Sequence, residues 1–139
     1  MKNILIIDDD KLIRWALREI FSQEGYTTDE ATSSEQAIKS AAETKYDLII
    51  ADLEINQENS ASMLERIKKL QPGANIIIVS ALSKSEIEKS LKNIDIYGII
   101  EKPFQSEQIR TMAKKALKKS NCQREVINEI DKKHNNQSI

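Results

Sequence analysis

The chain has 139 residues, 40% of them hydrophobic and 31% charged, with a formal net charge of -1. That length holds one domain with a core of its own. The balance excludes a disordered chain and any bulk electrostatic attraction to nucleic acid or membrane. A lone cysteine, Cys122, excludes an internal disulfide, and the apolar run Ile4-Leu5-Ile6-Ile7 is too short for a signal segment or a membrane span. A cytoplasmic protein is therefore expected.

Short β-branched runs alternate with stretches of helical period, the pattern of an α/β domain with a parallel sheet. The first strand is predicted over Ile4 to Ile7. Leu12, Ile13, Ala16, Leu17, Ile20 and Phe21 then share one helical face, up to a stop at Gly25, with Trp15 on the other side and partly exposed. Tyr26 to Ala31 reads as a weak second strand, at a sheet edge because it carries Thr27, Thr28, Asp29 and Glu30. Ser33 or Ser34 caps a helix through Ala37, Ile38, Ala41 and Ala42.

Tyr46 to Ala51 is the third strand and ends at Asp52. A loop rich in Asn and Gln follows, then a helix carrying Met63, Leu64, Ile67 and Leu70, broken by Pro72-Gly73. Asn75 to Val79 is a continuous apolar run, as for a strand buried on both faces. Ser83 starts a helix with Ile87, Leu91 and Ile94 inward. Ile96 to Ile100 forms the fifth strand, before Lys102-Pro103. A last helix carries Ile109, Met112, Ala113, Ala116 and Leu117 and ends in a basic turn (Lys114, Lys115, Lys118, Lys119), suited to the negative end of the helix dipole. Five strands and five helices thus alternate across residues 1–119. Residues 120–139 form a polar tail with Val126, Ile127 and Ile130 as its apolar residues before an Asn-rich end, the pattern of a short helix or the start of a linker.

Polar residues sit at the strand ends: Asp8 and Asp9 after strand one, Asp52 after strand three, Ser80 after strand four and Lys102 after strand five. In open parallel sheets, ligands bind at the carboxyl ends of the strands where strand order reverses. In the order 2-1-3-4-5 that point lies between strands one and three. Carboxylates gathered there repel by about 4 kcal/mol per close pair at an intermediate dielectric. Such a site raises its pKa values or recruits a cation, and hard oxygen ligands on a partly open loop favour Mg²⁺. A carboxylate can then attack an activated phosphoryl group, with Lys102 offsetting the gathering charge and Ser80 donating to the product. Singly, each residue has an ordinary reading: Asp10 caps the first helix, Lys102-Pro103 turns the chain, and His134 and the last helix's lysines are solvated surface groups.

The stretches Ile4-Leu5-Ile6-Ile7-Asp8-Asp9-Asp10, Asp47-Leu48-Ile49-Ile50-Ala51-Asp52-Leu53, Ile77-Ile78-Val79-Ser80-Ala81 and Lys102-Pro103-Phe104 resemble bacterial two-component response-regulator receiver domains. The resemblance covers Met1 through about Lys119, and helix one, Ile13 to Ile20, is most similar to nitrogen-regulator-type receivers. It implies a flavodoxin-like, doubly wound fold. It implies a sensor histidine kinase or phosphotransfer protein donating to Asp52, and Mg²⁺ held by Asp9, Asp52 and the backbone carbonyl of Glu54, with Asp8 acting through water. It also implies a downstream protein partner or output domain and allows a phosphorylation-dependent homodimer. No direct nucleic-acid or membrane binding by this segment is expected.

Two positions depart from the family pattern. Where members continue Asp-Leu-x-Met-Pro-x-Met-Asp-Gly, this chain has Asp52-Leu53-Glu54-Ile55-Asn56-Gln57-Glu58-Asn59-Ser60, which predicts a more mobile or differently shaped loop. Where many receivers carry a switching Tyr or Phe, Ile99 stands, with few rotamers and no hydroxyl. Other readings are a fragment at the front of a longer transcription activator, a docking-only pseudo-receiver, and a haloacid-dehalogenase-like phosphatase. The phosphatase would use Asp8-Asp9-Asp10 as its Asp-x-Asp and Val79-Ser80 as its second motif. It would need an acidic pair on a strand after Lys102, where only Glu129 and Asp131 of the tail follow, and it leaves Asp52 unexplained.

Overall fold

Neighbouring residues of a strand point to opposite faces, so a strand apolar at every position needs cover on both. The computed structural model, which describes residues 2–118, supplies that cover. Its elements run β1 (Asn3–Ile7), α1 (Lys11–Gln23), β2 (Thr27–Ala31), α2 (Ser34–Glu43), β3 (Leu48–Ala51), β4 (Glu54–Ile55), β5 (Glu58–Asn59), α3 (Ala61–Leu70), β6 (Asn75–Ser80), α4 (Lys84–Ser90), β7 (Gly98–Glu101) and α5, spanning 106–118. Five strands form one sheet in the order β2-β1-β3-β6-β7, with every neighbouring pair parallel. With the two-residue strands β4 and β5 set apart as a hairpin, this is the expected order 2-1-3-4-5.

The alternation divides the core in two. Leu5, Ile7, Ile49, Ala51, Ile76 and Ile78 pack with Ala37 and Ala41 of α2, Met63, Leu64 and Ile67 of α3 and Ile87 of α4. Ile4, Ile6, Leu48, Ile50, Ile77 and Val79 pack on the other face with Leu17, Ile20 and Phe21 of α1 and Ile109, Ala113, Ala116 and Leu117 of α5. The result is a three-layer α/β/α sandwich of the doubly wound kind.

Caps set the helix starts. Asp10 accepts from the Leu12 and Ile13 N–H groups, Ser33 accepts from Gln36, and Ser83 with Glu86 forms a reciprocal capping box. Gly25, with φ +82°, makes the left-handed turn after α1.

Some details differ from the sequence reading. Leu12 is 74% exposed rather than inward, because the first turn of α1 stands at the carboxyl end of the sheet, beyond its apolar cover. Leu70, at the end of α3, is likewise exposed, whereas Trp15 is 53% exposed as expected. β3 begins at Leu48, since the Tyr46 N–H is taken by the Gln71 side chain, and α4 stops at Ser90 with Leu91 as its cap. Lys119, the tail 120–139, Cys122 and His134 lie outside the described residues. Among the described residues no helix is long and apolar enough to cross a membrane.

Candidate functional site

The ends of β1 and β3 are neighbours in register, Ile7 opposite Ala51, so the next residues of both strands emerge together. The Asp52 N–H donates to the Ile7 carbonyl at 3.0 Å, which holds Asp52 beside Asp8. Both carboxylates are nearly enclosed, with Asp8 2% and Asp52 7% exposed. From two strands away, the Lys102 N–H donates to the Ser80 carbonyl at 2.8 Å, which fixes where the lysine leaves β7. Its ammonium reaches back and bridges the acids, Nζ lying 2.9 Å from Asp8 Oδ2 and 2.8 Å from Asp52 Oδ2.

The remaining carboxylate oxygens are held by main-chain donors. Asp8 Oδ1 accepts from the Asp10 N–H at 2.9 Å and Asp52 Oδ1 from the Glu54 N–H at 3.0 Å. Burial pushes the Asp8 carboxyl above its ordinary value, and the nearby Asp52 charge adds to the rise; the Asp10 N–H and Lys102 only partly offset it. For Lys102, burial pulls the ammonium down, but its bonds to Asp52 and Asp8 outweigh that and hold it above the ordinary lysine value. Arg14 steadies the end of β1 by donating from Nη1 to the Asp8 carbonyl at 2.8 Å and from Nε to Glu30 at 3.0 Å.

Asp9 follows a different course. It is exposed, and its Oδ2 accepts from the Asn56 N–H at 2.7 Å. Asn56 and Gln57 have φ of +53° and +64°, the two central residues of a type I′ turn between β4 and β5, with Ile55 paired to Glu58 and Glu54 to Asn59. Of the two expected outcomes for the loop, the structure has a different shape: a tight hairpin with Ile55 buried beneath it. Two successive non-glycine residues in the left-handed region cost on the order of 1 kcal/mol each. The charge-assisted bond to Asp9 and the burial of Ile55 offset that strain.

Ser80 lies fully buried at the end of β6, where its Oγ accepts from the Leu82 N–H at 3.3 Å. Ile99 on β7 is half-buried, pairs in register with Ile78 and packs against the apolar cluster under α4. Three contributors were missed from sequence: the Asn56 N–H, Arg14, and Ser60, whose Oγ lies 2.9 Å from the Asp52 carbonyl and 2.8 Å from that of Leu53. The signal for Ser60 was the departure itself, a hydroxyl where the family pattern has glycine.

In donor chemistry the site suits a hard divalent cation, with three carboxylates and the Glu54 carbonyl set against one ammonium. Among the described residues, however, no three His, Cys, Asp or Glu side chains group into a ligand set. Lys102 ties Asp8 to Asp52, while Asn56 ties Asp9 to the hairpin.

A doubly wound sheet with a lysine-bridged pair of aspartates at its topological switch point defines a receiver. The chain belongs to the response regulator receiver domain family, whose model matches residues 4–114. It is 32% identical over 116 residues to sporulation initiation phosphotransferase F of Bacillus subtilis, covering 84% of this chain and 94% of that protein. Among solved structures, NtrX from Brucella abortus superposes with a TM-score of 0.82 at 28% identity, over 92% of this chain and 29% of that one. The regulator TrrA from Thermotoga maritima, in complex with Mg²⁺ and BeF, gives 0.73 at 31% identity over 84% and 99%.

Proposed function

We propose that this receiver accepts a phosphoryl group on Asp52 from the phosphohistidine of a sensor kinase or phosphotransfer protein, with Mg²⁺ as cofactor. The observation that carries the reading is the Lys102 ammonium lying 2.8 Å from Asp52 Oδ2 and 2.9 Å from Asp8 Oδ2. An oxygen of Asp52 attacks phosphorus; the new O–P bond forms as the P–N bond to the donor imidazole breaks, and that nitrogen keeps the electron pair. Lys102 stands where the transferring oxygens gather negative charge. The Glu54 N–H holds the other oxygen of Asp52 and so orients the nucleophile. Asp8, Asp9, Asp52 and the Glu54 carbonyl would hold the cation, which when bound neutralises charge on the phosphoryl oxygens. Ser80 donates to the phosphorylated product after its hydroxyl turns from the Leu82 N–H. Ile99, packed between β6 and the α4 layer, carries the change to the surface by aliphatic repacking rather than by rotation of an aromatic ring.

Residues 1–119 form the signalling unit, which acts on a downstream protein partner or an output domain. The 29% coverage of NtrX motivates the second form, in which this segment is the front of a longer regulator. The proposed site of action is the cytoplasm. The test is incubation with a small phosphodonor such as acetyl phosphate and Mg²⁺, read by intact mass. One phosphoryl group is expected, lost in Asp52→Asn and retained in Asp8→Asn at a reduced rate. Labelling of Asp8 in the Asp52→Asn protein would instead support the phosphatase reading, and no labelling of the unaltered chain a docking-only role.

A further inference from the structure

The Asp9–Asn56 contact has no part in the chemistry just described, yet it engages one of the carboxylates that chemistry needs. We propose that the Asn56–Gln57 hairpin is a latch that competes with the divalent cation for Asp9 and so sets the metal affinity of the site; the inference rests on the proposed Mg²⁺ dependence.

Three observations carry it. The Asn56 N–H lies 2.7 Å from Asp9 Oδ2, a short bond to a full negative charge. That donor exists only because position 56 is not proline, the residue that the family pattern puts there and that has no N–H to give. Lastly, Asp8 and Asp52 are joined through Lys102 while Asp9 is tied to the hairpin, and no three acidic side chains form a ready ligand set among the described residues. A carboxylate hydrogen-bonded outside the metal sphere can also support binding by orienting its ligand atom. The separation of Asp9 from the other two acids favours competition over support. Loading the site then releases the Asn56 N–H, and the two strained turn residues lose the bond that offsets their conformation.

Competition and support differ in sign, which makes the test direct. Mg²⁺ affinity is measured by calorimetric titration of the full chain without phosphodonor, and the Asn56 amide proton is followed by NMR. Replacing the Asn56 backbone amide by an ester removes the N–H and keeps the side chain; Mg²⁺ is expected to bind about tenfold more tightly, the size of a lost bond to a charged group. Gln57→Gly creates the Asn-Gly pair most favoured in type I′ turns and is expected to weaken Mg²⁺ binding about threefold. In the unaltered chain the Asn56 amide proton is expected downfield and to move upfield as Mg²⁺ saturates. Weaker binding in the ester protein, or an Asn56 resonance unmoved at saturation, would overturn the latch and leave the Mg²⁺ reading standing. No Mg²⁺ binding at millimolar concentration in any form would overturn both.

Discussion

Ser60 donates its hydroxyl hydrogen to the main-chain carbonyls that follow the proposed phosphoacceptor, its Oγ lying 2.9 Å from the Asp52 oxygen and 2.8 Å from that of Leu53. The residue is only 3% exposed, and its φ of -99° needs no glycine. The Leu53 carbonyl also receives the Ser60 N–H at 2.6 Å, so loss of the hydroxyl falls mainly on Asp52. Ser60→Ala is expected to cost about 1–2 kcal/mol, the penalty of a buried carbonyl left without its donor. Urea unfolding checks it, and an unchanged midpoint would show that the hydroxyl holds nothing.

Tyr46 links the start of the third strand to the sheet edge, its phenol donating to Asp29 Oδ2 at 2.6 Å. Burial, and then the bond to the Asp29 carboxylate, push the phenol up to about 12 from an ordinary 10.0. The fold therefore keeps a proton that the unfolded chain gives up. This contribution is complete below pH 10.0 and disappears as pH rises through about 12. Tyr46→Phe is expected to lose about 1 kcal/mol at neutral pH. It should also lose that part of the alkaline decline; equal slopes for both proteins above pH 10.0 would contradict the assignment.

The layers and the strand-end acids were legible because they follow from periodicity and topology alone. Ile4 to Ile7 and Asn75 to Val79 could be central strands only with helices on both faces, and that arrangement brings Asp8, Asp52 and Lys102 to one end of the sheet. Strand boundaries were less legible. Tyr46 is buried like Leu48 and Ile49, but its N–H goes to the Gln71 side chain, a partner 25 residues away. The hairpin escaped notice because Asn56-Gln57 lacks the glycine that marks such turns, and its strands have two residues each. The hold on Asp9 comes from a main-chain N–H, which almost any residue could provide once the turn exists. Arg14 carries no pattern of its own in the sequence; its reach to the Asp8 carbonyl depends on how α1 sits beside the sheet edge.

Asp8 is held at the expense of stability. Burial raises its carboxyl above the ordinary 3.8, so the fold favours the neutral form there. The associated stability is complete below pH 3.8 and falls away as pH rises through the higher native value. Asp8→Asn presents a neutral acceptor to Lys102 and removes the buried charge. It is expected to melt a few degrees higher than the unaltered chain at pH 7, with the gain vanishing in acid. A lower melting temperature at pH 7 would mean that the Lys102 bond outweighs burial.

Lys102 is the opposite case, since its removal leaves two enclosed carboxylates facing each other. Its ammonium is held above the ordinary 10.5 despite burial, so its stabilising contribution is complete below pH 10.5 and lost as pH rises through the higher native value. Lys102→Ala is expected to destabilise by about 3 kcal/mol at pH 7, as when one partner of a buried ion pair is removed. The loss should shrink as pH falls and Asp8, whose carboxyl burial holds above its ordinary value, takes up a proton. Added Mg²⁺ separates stability from function: a cation among the acids is expected to restore much of the melting temperature of Lys102→Ala. Labelling by a phosphodonor should remain slow, because the ammonium that meets the transferring oxygens is gone. Full labelling speed in that variant would confine Lys102 to holding the two aspartates together.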